Sequence, residues 1–155
     1  MRHTSIILNL GMVLASAFAH ETHNSKKLET PSQENKLNEI NEAYVKQVKP
    51  IFQAKCFDCH SQFTKFPWYY SFPLIKSAID NDIQEAKRHF DFSDDFPFRG
   101  HGIPREDIQA IQEVIQRGTM PPLRYRILHL KSKVTLDEKE QIMKWIVLSN
   151  KLLEN

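Results

Sequence analysis

Two cysteines and a histidine stand together in the segment Cys56-Phe57-Asp58-Cys59-His60. This C-x-x-C-H pattern is typical of c-type haem attachment. Two intervening residues allow one helical turn to present both thiols to the same edge of a porphyrin, where each adds across a vinyl group. The histidine that follows can reach the iron as its proximal ligand. The sequence therefore predicts one covalent haem c, held by thioethers from Cys56 and Cys59, with His60 on the iron.

Two other kinds of site use closely spaced cysteines, and the sequence disfavours both. A structural zinc site would need two more Cys or His ligands at knuckle spacing, and none follow. A thioredoxin-like redox pair would lie in a βαβ context, which the sequence pattern does not show. Because the chain has only two cysteines, a disulfide framework is excluded as well.

The second face of the iron needs a ligand, and Met120 is the favoured residue. It follows Gly118, which is expected to end a helix, and Pro121 pushes it out of the α region. Pro121 and Pro122 stiffen the loop, so that the thioether is held at low entropic cost. Thioether ligation raises the potential of an electron carrier. His129 is the alternative ligand, and an open or water-bound site is the third possibility.

The other candidates for this position have simpler roles. Met143 lies in an amphipathic helix and is expected to fill the core. His89 is close to a helix C-terminus, where a positive group interacts favourably with the helix dipole. His101 lies between two glycines and is expected at the surface.

Aromatic residues are concentrated around the cysteines, with twelve of the sixteen between Phe52 and Phe98. A flat, apolar macrocycle needs such a wall, which keeps water away from the iron. Polar groups are also needed to pair with two haem propionates. We expect the partners to come from the group Trp68, Tyr69, Arg88, Arg124 and Arg126.

The elements that must position these residues are predicted to be helices. Apolar residues at helical spacing begin near Ile40, and a longer helix is predicted over residues 73–90. In that helix the apolar stripe consists of Leu74, Ile75, Ala78, Ile79, Ile83 and Ala86. A third helix is expected from Pro104 to Gly118, and Thr135 with Glu138 forms a capping box for the last. No run alternates with period two, so the predicted class is all-α.

The chain is predicted to have three parts. Residues 1–19 are typical of a secretory signal, with Arg2 in the basic region, an apolar stretch over 6–14 and cleavage after Ala19. Residues 20–39 are almost entirely polar and are predicted to be a flexible tether. Residues 40–155 form the predicted haem-binding domain. Bacterial c-type haem is attached outside the cytoplasm, so export agrees with the motif.

Composition limits the classes of partner. The 155 residues include 21 Lys and Arg against 19 Asp and Glu, a formal net charge of +2. No basic block or stripe is present, so nucleic-acid binding is not expected. The apolar stretch is well short of the ~20 residues that span a bilayer, so no stable membrane insertion is expected after signal removal.

The sequence resembles the bacterial haem-binding domain family of monohaem, cytochrome-c-like proteins. The resemblance runs from about Val45 to Ile146, and its most specific parts are the Pro67-Trp68-Tyr69 and Met120-Pro121 segments. It is carried by residues 48–61, 66–69, 89–93 and 118–125. It implies a small cytochrome-c-like helical domain wrapped around one haem, with Cys56, Cys59, His60 and Met120 in the roles described above. The family typically has Asn in place of Asp91 and often Gly in place of Ala86.

Three functions are compatible with these features. The favoured one is a periplasmic protein that transfers single electrons between redox partner proteins and performs no catalysis. The second is a gas sensor or peroxidase-like enzyme with an open or displaceable sixth site, for which His129 and Arg124 are the candidate acid–base groups. The third is a haem-bearing subunit that docks on a larger oxidoreductase.

Overall fold

A computed structural model of the chain describes residues 31–99 and 102–154, in which seven α-helices follow one another. Their bounds are α1 Pro31–Ala43, α2 Lys49–Lys55, α3 Phe57–His60, α4 Pro73–His89, α5 Pro104–Arg117, α6 Leu123–Leu128 and α7 Leu136–Glu154. A π-helical turn follows α1 at Tyr44–Val48, and 3₁₀ turns lie at Trp68–Ser71 and Leu130–Ser132. The described ranges contain no β-strand, only an isolated bridge between Asp91 and Arg99. The predicted all-α class is confirmed.

The core lies where α1, α5 and α7 meet beneath a cluster of aromatic rings. Trp145 of α7 is almost fully buried, and its indole Nε1 donates a hydrogen bond of 3.1 Å to the backbone oxygen of Ile40. The ring of Tyr44 packs against that of Trp145 in a tilted arrangement, with ring centroids 5.7 Å apart. The rings packed around this pair are Phe52, Phe92, Phe96 and Phe98. Part of the aromatic concentration in the sequence therefore builds the protein core itself.

The predicted helices over 73–90 and 104–118 and the capped last helix are found with closely matching bounds. Helix α4 begins at Pro73, and α5 ends at Arg117, directly before Gly118. Both reciprocal hydrogen bonds of the predicted capping box are present at the start of α7. The amide of Glu138 donates to Thr135 Oγ1 over 3.2 Å, and the amide of Thr135 donates to Glu138 Oε2 over 2.8 Å.

Helix α4 departs from the expectation of a core-facing apolar stripe. None of its residues is buried, and Leu74 is 88% exposed. Of the six residues of the predicted stripe, only Ala86 lines the cavity that is described below. Amphipathic spacing therefore located the helix correctly, but the predicted stripe does not pack into the core.

The predicted boundary between tether and domain was wrong. Residues 31–39 belong to α1, in which Leu37 and Ile40 are buried against the core. The remaining surface of α1 is mostly polar and exposed, which explains why composition alone suggested a tether. The remaining tether residues, 20–30, and the predicted signal at 1–19 lie outside the described residues. Within 31–99 and 102–154, no helix is long and apolar enough to cross a membrane.

Gly118 sets the direction in which the chain leaves α5. Its φ is +65°, in the left-handed region that L-residues other than glycine rarely adopt. A Cβ placed there would meet no atom within 4 Å, so a substitution acts through backbone strain alone. We expect Gly118→Ala to lower the free energy of unfolding by about 1 kcal/mol. Gly118→Asn should cost less, and chemical denaturation of both haem-loaded variants tests this; equal stability of Gly118→Ala and wild type would contradict it.

Candidate functional site

A cavity of about 490 Å³ lies between α3, α4, α5 and the segment that connects α5 to α6. Its apolar lining comes from helices α2, α4 and α5 and from the segments that follow α4 and precede α6 and α7. These residues are Phe52, Ala86, Phe90, Phe92, Ala110, Ile111, Val114, Ile115, Pro121, Pro122 and Val134. Its polar, titratable and sulfur-bearing lining residues are Lys55, Cys56, Asp58, Cys59, His60, Asp82, Glu85, His89, Met120, Arg124 and Tyr125.

The two cysteines stand on one wall of this cavity, as the motif predicts. The amides of Cys59 and His60 both donate to the backbone oxygen of Cys56, over 3.1 and 3.0 Å, and so form the expected helical turn. Burial raises the pKa of Cys56 to about 12 and also raises the pKa of Cys59. Redox-active cysteine pairs depend on a lowered thiol pKa. The thiol environment therefore disfavours the thioredoxin-like alternative.

The imidazole of His60 is held by a backbone carbonyl. Its Nδ1 lies 3.0 Å from the oxygen of Phe90, an acceptor, so Nδ1 carries the proton and Nε2 the lone pair. The amide of Phe92 donates back to the oxygen of His60 over 2.6 Å. Burial lowers the pKa of His60 against the opposing effect of the carbonyls of Phe90 and Ala86, which keeps the ring neutral at pH 7. A neutral, oriented imidazole is what a metal requires.

Met120 lines the cavity and is 43% exposed. Gly118 and the two prolines that follow Met120 place it on the short connection between α5 and α6. Pro121 is buried and also lines the cavity. The predicted thioether thus reaches the same space as the thiols of Cys56 and Cys59 and the ring of His60.

The alternative ligands are placed differently. His129 does not line the cavity; its Nδ1 lies 3.0 Å from the oxygen of Tyr125 and its Nε2 3.4 Å from the hydroxyl of Tyr69. Met143 packs against the core, as expected. His89 does reach the cavity rim, where its Nε2 lies 3.2 Å from Glu85 Oε1. His101 lies outside the described residues.

The residues predicted to pair with propionates separate into two groups. Arg124 lines the cavity mouth, where its guanidinium contacts Asp82 Oδ1 at 2.7 Å. Trp68 and Tyr69 do not line it, and Trp68 is 81% exposed on the 3₁₀ turn before α4. Arg88 and Arg126 also lie outside the lining. The structure therefore brings Arg124 to the site and leaves Trp68 and Tyr69 outside it.

Lys55 is a lining residue that the sequence analysis missed. Its Nζ donates to the backbone oxygens of Lys131 and Lys133, over 2.5 and 3.2 Å, and lies 3.5 Å from Glu138 Oε1. These contacts fasten the loop before α7 to the residue that precedes Cys56. Because backbone oxygens have no sequence signature, nothing in the spacing indicates this role.

Removing the Lys55 ammonium is expected to destabilise the protein. Lys55→Met leaves two backbone oxygens without their donor, and we expect a loss of about 1–3 kcal/mol in the free energy of unfolding. The matched control is Lys144→Met, which removes an exposed ion pair with Glu140. Such pairs contribute about 0–1 kcal/mol. Denaturant unfolding of both haem-loaded variants provides the comparison, and equal losses would refute the role of Lys55.

The chemistry of the lining fits a large, flat cofactor that contains iron. Two thiols share one wall, a neutral imidazole and a thioether reach the same space, and most of the remaining surface is apolar. Fold and cavity together define a small all-α protein built around a cofactor pocket. The chain belongs to the haem-binding domain family, whose sequence profile matches residues 10–147.

A relative of known sequence agrees with this assignment. Cytochrome c peroxidase Ccp of Escherichia coli (strain K12) is 33% identical over 98 residues, which are 59% of this chain and 20% of that protein. The chain thus spans about a fifth of that relative's length. No solved structure matches the chain. Family membership and this relative make the chain a haem protein.

Proposed function

We propose that this chain is an exported, monohaem c-type cytochrome that carries single electrons. In this proposal Cys56 and Cys59 hold the haem through two thioethers, and His60 and Met120 ligate its iron. The observation that carries the proposal is the convergence of these four side chains on one cavity of about 490 Å³. When bound, haem supplies a one-electron change of its iron between the ferric and ferrous forms.

The protein's own residues would then set the potential and the access of solvent. The hydrogen bond from His60 Nδ1 to the oxygen of Phe90 fixes the ring and increases its basicity toward a metal. A thioether from Met120 stabilises the ferrous form relative to the ferric form and so raises the potential. The apolar lining from α5 and the Phe90–Phe92 segment excludes water, which acts in the same direction.

The proposed partners are redox proteins, and the proposed location is the periplasm. The proposal for the location depends on the signal pattern in residues 1–19. The proposal for the partners is supported by exposed apolar residues of α6 beside the cavity mouth, namely Leu123, Ile127 and Leu128. Exposed apolar patches of this kind mark protein contact sites. We expect neither nucleic-acid binding nor stable membrane insertion after signal removal.

A peroxidase-like or gas-sensing function is the second candidate. It is favoured by the name of the relative, and it would require that the Met120 thioether be absent from the iron or displaceable. Such chemistry needs a general acid or base near the open position. His129 lies outside the cavity lining, Arg124 is paired with Asp82, and His89 lies at the cavity rim beside Glu85. Electron transfer is therefore the better-supported function.

The absorption spectrum of the mature protein tests the proposal directly. The protein would be produced in a host with haem-attachment machinery and measured oxidised and reduced. A low-spin spectrum with the weak red band of methionine-to-ferric-iron charge transfer is the expected result. A high-spin spectrum, or rapid binding of CO to the reduced protein, would support the peroxidase or sensor function instead. A chain without covalent haem would refute both.

A further inference from the structure

One hydrogen bond joins the segment that carries Met120 to the segment that carries His60. The hydroxyl of Tyr125, in the first half of α6, donates to Asp58 Oδ2 over 2.7 Å. Asp58 stands between the two cysteines, and its other carboxylate oxygen accepts the amide of Lys65 over 3.0 Å. Both Tyr125 and Asp58 line the cavity.

The connection from Tyr125 back to Met120 is short and stiff. Only Pro121 and Pro122 separate Met120 from the first residue of α6, and proline restricts the backbone at both positions. The amide of Tyr125 donates to the oxygen of Pro122 over 3.0 Å, which ties the start of the helix to this pair. Because the backbone between them is restricted, a displacement of Tyr125 is expected to displace Met120 as well.

The other contacts that hold α6 are weaker. The ion pair between Arg124 and Asp82 is exposed, and exposed pairs contribute little. The contact between Tyr69 and His129 is long, at 3.4 Å. Hydrogen bonds to carboxylates are the stronger kind, and that of Tyr125 is short and partly buried.

We propose that Tyr125 is a positioning residue, which holds Met120 over the cavity through its hydrogen bond to Asp58. The inference rests on the proposed ligation of iron by Met120 and deepens it. Met120 lies on the short connection between α5 and α6, so the fastening of α6 constrains the connection that carries it.

The test is Tyr125→Phe in the full, haem-loaded protein. Phenylalanine keeps the ring that stacks on His129, with centroids 4.0 Å apart, and removes only the hydroxyl. We expect about a tenfold or larger rise in the fraction of iron from which the thioether has dissociated, the effect of one lost hydrogen bond of this kind. The measurements are the intensity of the red charge-transfer band and the rate at which the reduced protein binds CO.

Tyr70→Phe is the matched control. The hydroxyl of Tyr70 donates to Asp80 Oδ1 over 2.6 Å, and neither residue lines the cavity. Both variants therefore lose a tyrosine–carboxylate hydrogen bond, but only Tyr125→Phe should change the band and the CO rate. A Tyr125→Phe protein that loses stability like Tyr70→Phe yet keeps the wild-type band would overturn the positioning role.

Two further variants keep the outcomes distinct. Asp58→Ala removes the acceptor of the Tyr125 hydroxyl and serves as the test where Tyr125→Phe does not fold. A wild-type band and CO rate in Asp58→Ala would then overturn the role. Met120→Ala tests the ligand itself. An unchanged spectrum in Met120→Ala refutes the proposed ligation, whereas a lost band there with an intact band in Tyr125→Phe refutes only the positioning role.

Discussion

Replacing Cys56 and Cys59 together with alanine is expected to abolish covalent haem and to leave a chain that is poorly folded and sensitive to protease. A ligand that binds only the native state stabilises it, and loss of the ligand removes that stabilisation. The effect should be large here because the cavity measures about 490 Å³ and α4 has no buried residue of its own. A dry engineered core cavity is much smaller, about 150 Å³. Without an occupant, α4 keeps its contacts with α3 and the preceding 3₁₀ turn but loses those on its cavity side.

The two single variants provide the graded comparison for this prediction. Cys56→Ala and Cys59→Ala each leave one thiol on the cavity wall, so each should retain less haem than wild type but more than the double variant. Mass spectrometry under denaturing conditions measures covalent haem, and limited proteolysis measures folding. Normal accumulation of a protease-resistant, haem-free double variant would show that folding and haem binding are independent.

Most of the site was predictable because its residues have a sequence signature. The spacing of Cys56, Cys59 and His60 encodes one helical turn, and Gly118 with the two prolines after Met120 encodes a rigid exit from α5. These features depend on local backbone geometry, which the sequence specifies directly. The structure accordingly brings all four side chains to one cavity.

The remaining features depend on contacts between distant segments. Nothing near His60 in sequence indicates that the carbonyl of Phe90, thirty residues away, orients its ring. The same holds for Lys55 and the backbone oxygens of the loop before α7. Composition likewise could not show that the polar sequence of α1 has one buried edge. Trp68, a predicted propionate partner, is 81% exposed and does not line the cavity, a placement that its residue type alone could not indicate.

The exposed face of α4 shows how a cofactor changes the meaning of a hydrophobic pattern. An amphipathic helix normally buries its apolar stripe in protein. Here the α4 residues that line the cavity are Asp82, Glu85, Ala86 and His89, which are mostly polar, and Glu85 and His89 are also exposed. On its cavity side α4 therefore carries titratable groups where a core helix would carry leucine. The proposed haem completes the packing that the protein side chains leave unfinished.

Met120→Ala is expected to have the largest effect on redox behaviour while leaving the fold intact. Met120 lies on the connection between α5 and α6 and does not belong to the core cluster, so its truncation leaves the core packing unchanged. If its thioether ligates the iron, its loss removes a ligand that favours the ferrous form, and the reduction potential falls. If the thioether binds ferrous iron more than tenfold more tightly than ferric iron, its loss lowers the reduction potential by more than about 59 mV for this one-electron couple. The red charge-transfer band should disappear, and the reduced protein should bind CO readily.

Met143→Ala is the matched control for this variant, because it truncates the same type of side chain in α7. Met143 is partly buried against the core, so its loss is expected to lower the free energy of unfolding by about 1–3 kcal/mol without changing the spectrum or the potential. We therefore expect Met120→Ala to change the spectrum and the potential, and Met143→Ala to change the stability. A Met120→Ala protein with the wild-type spectrum and potential would exclude Met120 as a ligand. Because His129 is held outside the cavity by Tyr125 and Tyr69, that result would leave two interpretations, an open sixth position or ligation by His89 from the cavity rim.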